Sequence, residues 1–166
     1  MICLVFANAS VLIPLARIGK LALLQKCFKE VKITQGIREE LTAFDKPGAA
    51  EIGQALLSWI KEEKTGELKE AKQLAFKENI SEADAALILC AKANEEEVLT
   101  NDYRLHAVAK TKAVETIWLT TLLLKCAKEK ILTKKEAKET LLELVQAGMR
   151  LKVEVYTAIE KKIEEI

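Results

Sequence analysis

Glu97-Val98-Leu99-Thr100-Asn101-Asp102 is the stretch whose reading decides the fold. Val98 and Leu99 form a short apolar strand that stops abruptly at Thr-Asn-Asp. A helical pattern follows from Tyr103 to Lys112. A strand that passes a carboxylate to the start of a helix places it at the carboxyl end of a sheet, where open α/β sheets build their sites. The remaining question is which other polar groups reach that edge.

Working outward, the same strand-to-helix grammar recurs. Ile2 to Ala7 is a continuous apolar run of strand length, as expected of a central parallel strand buried on both faces. It ends at Asn8-Ala9-Ser10, and a short helix follows from Val11 to Ala16. Leu21, Leu23, Leu24, Cys27 and Phe28 make a second helical face, and Glu30 to Thr34 alternates as a second strand. Gly36 to Phe44 and Ala49 to Leu57 read as helices, with Trp59 to Glu62 as a short edge strand and Leu68 to Phe76 as a further helix. Ser81-Glu82-Ala83-Asp84 opens a helix that runs to about Ala93, with a capping-box pattern at its start. Val114 to Trp118 is the last strand. Alternating strands and helices predict an α/β fold: a three-layer α/β/α, Rossmann-like sandwich with a parallel sheet. We expect residues 1–118 to form this domain and 119–166 to be a C-terminal helical extension packed on it. In the extension, Tyr156, Ile159, Ile163 and Ile166 make a narrow seam suited to self-association.

Composition bounds the function. Among 166 residues, 26 Lys and Arg balance 25 Asp and Glu, leaving a net charge of +1. That balance argues against a protein that coats nucleic acid through bulk positive charge. Cys3, Cys27, Cys90 and Cys126 form no CxxC pair and sit in apolar patterns, so buried reduced thiols and a cytoplasmic location are expected rather than a zinc site. No apolar run reaches the roughly 20 residues that span a bilayer, so no membrane partner is expected. The turn at Asn8-Ala9-Ser10 lacks the glycines of a phosphate cradle, which disfavours a nucleotide-binding domain.

Three acidic residues can meet at the edge defined by Asp102: Asp102 itself, Asp84 in the first turn of its helix, and Glu40 on the helix after the second strand. Gathered carboxylates repel unless a cation holds them, and Mg²⁺ or Mn²⁺ takes such oxygen ligands. Each also has a structural reading. Asp84 can serve the Ser81 cap, Glu82 can favour a helix N-terminus, Asp102 or Asn101 can cap the next helix, and Glu40 can be a solvated helix glutamate. The lone histidine, His106, is given no role.

Four segments give the chain a family resemblance. They are Val5 to Ile13 with Leu15 to Leu21, Ile37-Arg38-Glu39-Glu40-Leu41, Ser81 to Ile88, and Leu99-Thr100-Asn101-Asp102. The tail Gly148-Met149-Arg150-Leu151 and the helix after it extend the likeness. In order and spacing the chain resembles the PIN-domain superfamily of VapC-like toxin ribonucleases, in the prokaryotic branch with a C-terminal helical tail. The resemblance implies an endoribonuclease with an acidic Mg²⁺ or Mn²⁺ pocket, acting on RNA. It implies a homodimer, and the toxin of a toxin–antitoxin pair with an antitoxin protein as partner. By position, Glu40, Asp84 and Asp102 match the family's second, third and fourth acidic residues. Glu82 is an alternative to Asp84, and Ser10 and Thr100 match small hydroxyl residues near the pocket. The family's first aspartate is Asn8 here. An amide can ligate through oxygen but brings no charge, and it can donate hydrogen bonds. That departure opens an alternative, a catalytically impaired domain that binds RNA or protein.

Overall fold

The computed structural model of the chain describes residues 2–66 and 68–166, with side chains in the first strand from Leu4 onward. The expectation of a buried Cys3 thiol lies outside the described side chains. The chain divides into two compact units, Met1–Ile117 and Trp118–Ile166.

The first unit holds β1 (Ile2–Ala7), α1 (Ala9–Arg17), α2 (Leu23–Cys27), β2 (Phe28–Thr34), α3 (Gln35–Thr42), α4 (Ala49–Ser58), β3 (Ile60–Glu63), α5 (Leu68–Glu78), α6 (Glu82–Asn94), β4 (Glu97–Thr100) and α7 (Tyr103–Thr111), and β5 (Thr116–Trp118) closes it. The five strands form one parallel sheet in the order β3-β2-β1-β4-β5, flanked by helices. β1 is central: Phe6 stands opposite Lys32 on one side and Val98 on the other. Val5, Phe6 and Ala7 have no exposed surface, which is why this strand reads as an unbroken apolar run. Phe6, Leu12, Leu15, Ile33, Ile37, Leu87, Ile88 and Leu99 are fully buried and form much of the core. Cys27 is buried and Cys90 half-buried, and both remain thiols.

Several boundaries differ from the sequence expectation by one or two residues, and two of them have a visible cause. Phe28 belongs to β2, not to the helix before it, because it pairs with Ile2 across the sheet. The full length of β1 recruits its neighbour, and strand pairing overrides the local helical spacing. The last strand starts at Thr116 rather than Val114, because the Val114 N–H donates to the Ala109 carbonyl to close α7, with Ala113 at a φ of 57°.

The second unit is a three-helix cluster of α8 (Leu119–Lys128), α9 (Lys134–Gln146) and α10 (Val153–Glu165). Leu122, Leu123, Cys126, Ala137, Leu141 and Leu144 are buried in it, and Gly148 follows α9 at a φ of 106°. α10 packs against α8 and α9, so Ile159 and Ile163 are already buried inside this unit. Half of the seam expected for self-association is therefore used within the chain; Tyr156 is half-buried and Ile166 is 45% exposed. Among the described residues no helix is long and apolar enough to cross a membrane.

Candidate metal centre

From β1 the chain moves outward to β2 and β3, then returns to β4 on the other side of β1 and continues to β5. The direction of winding thus reverses between β1 and β4, and at such a switch point the carboxyl ends of the strands open a crevice. The Asn8 N–H donates to the Leu99 carbonyl at 3.0 Å and ties the two strand ends together.

Asn8 is only 5% exposed and caps α1. Its Oδ1 accepts from the Ser10 N–H at 3.0 Å, and its Nδ2 donates to Asp84 Oδ1 at 2.8 Å. The two bonds fix the amide's orientation, since only the oxygen can accept from an N–H and only the nitrogen can donate to a carboxylate. Asn8 thus turns its donor, not its oxygen, toward the acidic group.

At the end of β4, fully buried Thr100 accepts the Asp102 N–H on Oγ1 at 3.1 Å. Ser10 Oγ accepts the Asn101 N–H at 2.8 Å and lies 3.4 Å from Thr100 Oγ1. The two small hydroxyls, one from each strand end, hold the turn that carries Asp102. Asp102 caps α7 with one oxygen, Oδ1 accepting from the Arg104 N–H at 2.7 Å and the Leu105 N–H at 3.1 Å. Its other oxygen has no hydrogen bond among the described residues. The cap reading of Asp102 holds, and because a carboxylate has two oxygens the cap leaves the second one for the cleft that Asp102 lines.

α6 begins with Ser81 Oγ accepting the Asp84 N–H at 3.0 Å. Asp84 lies half-buried in the first turn, and α3 packs against α6 and brings Glu40 to the rim. Asn8, Ser10, Glu40, Asp84 and Asp102 line one cleft of about 260 Å³ together with Ala9, Ile13 and Pro14. Glu82 is exposed and not among the lining residues. His106 is placed elsewhere, with Nδ1 2.6 Å from Thr116 Oγ1. Ile13 and Pro14 carry no site signal of their own in the sequence, because their apolar spacing reads as core. Only their position relative to Ser10 points to the cleft: with it they recur at i, i+3 and i+4 on the helix that Asn8 caps.

Asp84 and Glu40 sit where their charged forms are disfavoured. Burial raises Asp84 above the ordinary carboxylate range; the Ser81 hydrogen bond opposes this, the charge of Asp102 adds to it, and the Asn8 bond opposes it. Glu40 is raised by burial and by the charge of Asp84. A cation in the cleft would relieve both. The acidic donors are hard oxygens, the type Mg²⁺ and Mn²⁺ take, and among the described residues no His or Cys lines the cleft with them. Among the described residues no three acidic, His or Cys side chains close into a shell around one point. The set therefore fits an ion held by one or two carboxylates with water completing its coordination, the usual mode of Mg²⁺.

A parallel sheet with acids gathered at its switch point defines a class of Rossmann-like proteins with an acidic cleft. Within it, a PIN domain family model matches residues 4–165. The chain belongs to the PIN-domain family. The crystal structure of PAE2754 from Pyrobaculum aerophilum is similar in fold, with a TM-score of 0.57 and 20% sequence identity over 76% of this chain and 96% of that one. No curated protein matches the sequence.

Proposed function

We propose that the protein is a metal-dependent endoribonuclease of the PIN type, hydrolysing RNA phosphodiesters at the cleft between β1 and β4. The observation that carries this reading is the convergence of Glu40, Asp84 and Asp102 on one small cleft at the sheet's switch point. Asp84 and the second oxygen of Asp102 are the groups that would hold Mg²⁺ or Mn²⁺, with Glu40 at the rim. Such an ion supplies an activated water and stabilises charge on the phosphodiester. The chain's own part is positional. Ser10 and Thr100 fix the turn before Asp102, the N-terminal amides of α7 hold one Asp102 oxygen, and Asn8 holds one Asp84 oxygen. A toxin's role with an antitoxin partner, a cytoplasmic site of action and a homodimer are further parts of the proposal. They are supported by the family resemblance; the buried Ile159 and Ile163 direct the search for a dimer surface away from the α10 seam.

The Asn8–Asp84 bond supports a second reading, a PIN domain kept for binding RNA or protein. An aspartate at position 8 would add a ligand, whereas the amide adds none and occupies an oxygen of Asp84. Cleavage of a mixed single-stranded RNA with Mn²⁺ or Mg²⁺ separates the two. The nuclease reading predicts cleavage by the wild type and none by Asp102→Asn. An inert wild type with activity gained in Asn8→Asp would favour the binding module. Silence from all three proteins would remove support for catalysis.

A further inference from the structure

We propose that Gly36 is the positioning residue of the cleft: its missing side chain lets α3 lie against α6 at Ala83, and this close approach sets Glu40 beside Asp84. A Cβ built on Gly36 would stand 2.7 Å from the Ala83 Cβ and 3.0 Å from the Ala83 Cα. Neither atom belongs to a side chain that can swing away, so a methyl group at position 36 forces the helices apart.

The register along each helix converts this contact into site geometry. Gly36 and Glu40 are four residues apart in α3, one turn on the same face. Ala83 immediately precedes Asp84 in the first turn of α6. The tightest point between the helices therefore lies one turn from one acid and one residue from the other. Burial and the charge of Asp84 both act on Glu40, as this proximity requires.

Backbone conformation gives no competing reason for the glycine. The positive-φ glycines are Gly19, Gly48 and Gly148, and Gly36 is not among them. Inside a helix, alanine is favoured over glycine. Gly53, in the middle of α4, is the internal contrast, because a Cβ there meets nothing within 4 Å.

The holding of an ion rests on the proposed nuclease reading; the placing of Glu40 beside Asp84 does not, and the experiment has one arm for each. In the first, Mn²⁺ affinity is measured by calorimetry. Gly36→Ala weakens it by about 10–100-fold, the range for residues that orient metal ligands. Gly53→Ala leaves it unchanged, and adding Ala83→Gly to Gly36→Ala restores most of the loss. Unchanged affinity in Gly36→Ala, or a loss that Ala83→Gly does not recover, overturns the proposal. The second arm is metal-free thermal unfolding at neutral pH. Glu40→Gln removes a repulsion with Asp84 and raises the midpoint by about 1–3 °C, the scale of a sub-kcal/mol change in a chain this size. In the Gly36→Ala background the gain shrinks; an equal gain in both backgrounds overturns the proposal. A wild type that binds no Mn²⁺ removes the ion-holding reading, and the thermal cycle then decides the role of Gly36 by itself. Should Gly36→Ala fail to fold, Ala83→Ser crowds the same contact from α6 and replaces it in both arms.

Discussion

Two helix starts in this chain carry related motifs and use them differently. At α9, Thr133 Oγ1 accepts the Glu136 N–H at 3.2 Å, and Glu136 Oε2 folds back to the Thr133 N–H at 2.7 Å. This is a complete capping box. At α6, Ser81 and Asp84 make the first half of the same box, but the Asp84 carboxylate takes a hydrogen bond from Asn8 and lines the cleft. Glu136 is satisfied by its own helix end. Asp84 is half-buried among other acids and raised above its ordinary range. A short acidic residue three positions after a cap can thus keep a hydrogen bond to its cap and still face a cleft. The cost appears as burial of its carboxylate, to which the charge of Asp102 adds.

The comparison sharpens most under substitution of the acids. Asp84→Asn should abolish measurable Mn²⁺ binding and reduce RNA cleavage by at least about 100-fold, beyond the range for residues that only orient metal ligands. Its metal-free stability should not fall, because a repulsive charge is removed. Calorimetry and thermal unfolding on the same sample check both parts. A loss of stability as large as that of a broken cap would return Asp84 to an ordinary helix-start role.

Asn8→Asp comes next in size. It replaces a donor with a charge 2.8 Å from Asp84. We expect Mn²⁺ affinity to rise about tenfold or more, as an anionic ligand is added, while the midpoint of the metal-free protein falls. Unaltered affinity by calorimetry would show that position 8 does not act on the ion.

The pH dependence has a definite sign. Asp84 and Glu40 are raised above their ordinary values, so the folded protein holds protons that the unfolded chain releases. Their contribution to stability is then largest at low pH and declines as pH rises from the ordinary carboxylate range through the raised values. The difference in thermal midpoint between wild type and Glu40→Gln, followed from about pH 4 to pH 7, should widen in favour of the variant. A difference that stays flat with pH would mean that Glu40 titrates as in the unfolded chain.

The smallest effect is expected at the other helix start. Thr133→Ala should cost about 1 kcal/mol, the usual value of an N-cap, with Mn²⁺ affinity unchanged. A change in affinity would break the contrast between the two caps.

Much of this architecture was legible in the sequence, for identifiable reasons. β1 and β4 are short apolar runs that end in polar turns, and burial on both faces leaves that imprint. Asp102 and Asp84 were legible because strand ends and first helical turns occupy known places in a parallel sheet, and Glu40 came chiefly from the family resemblance. The orientation of the Asn8 amide was not legible, since it depends on which N–H and which carboxylate flank it in space. Gly36 gave no sign of its role, because the nearness of Ala83 arises from packing between helices far apart in the chain. The sequence pattern marks a capping box at Ser81, whereas the complete box is at Thr133, since local pattern does not reveal a competing partner such as Asn8. Phe28 fell on the wrong side of a boundary for the same reason, its strand partner being remote.

The most direct test of the account is Mn²⁺ calorimetry on the wild type beside Asp84→Asn. A metal centre built on Asp84 predicts a bound ion in the wild type and none in the variant, with both proteins folded. Equal binding by the two, or no binding by a folded wild type, would contradict the claim that these carboxylates form a metal centre.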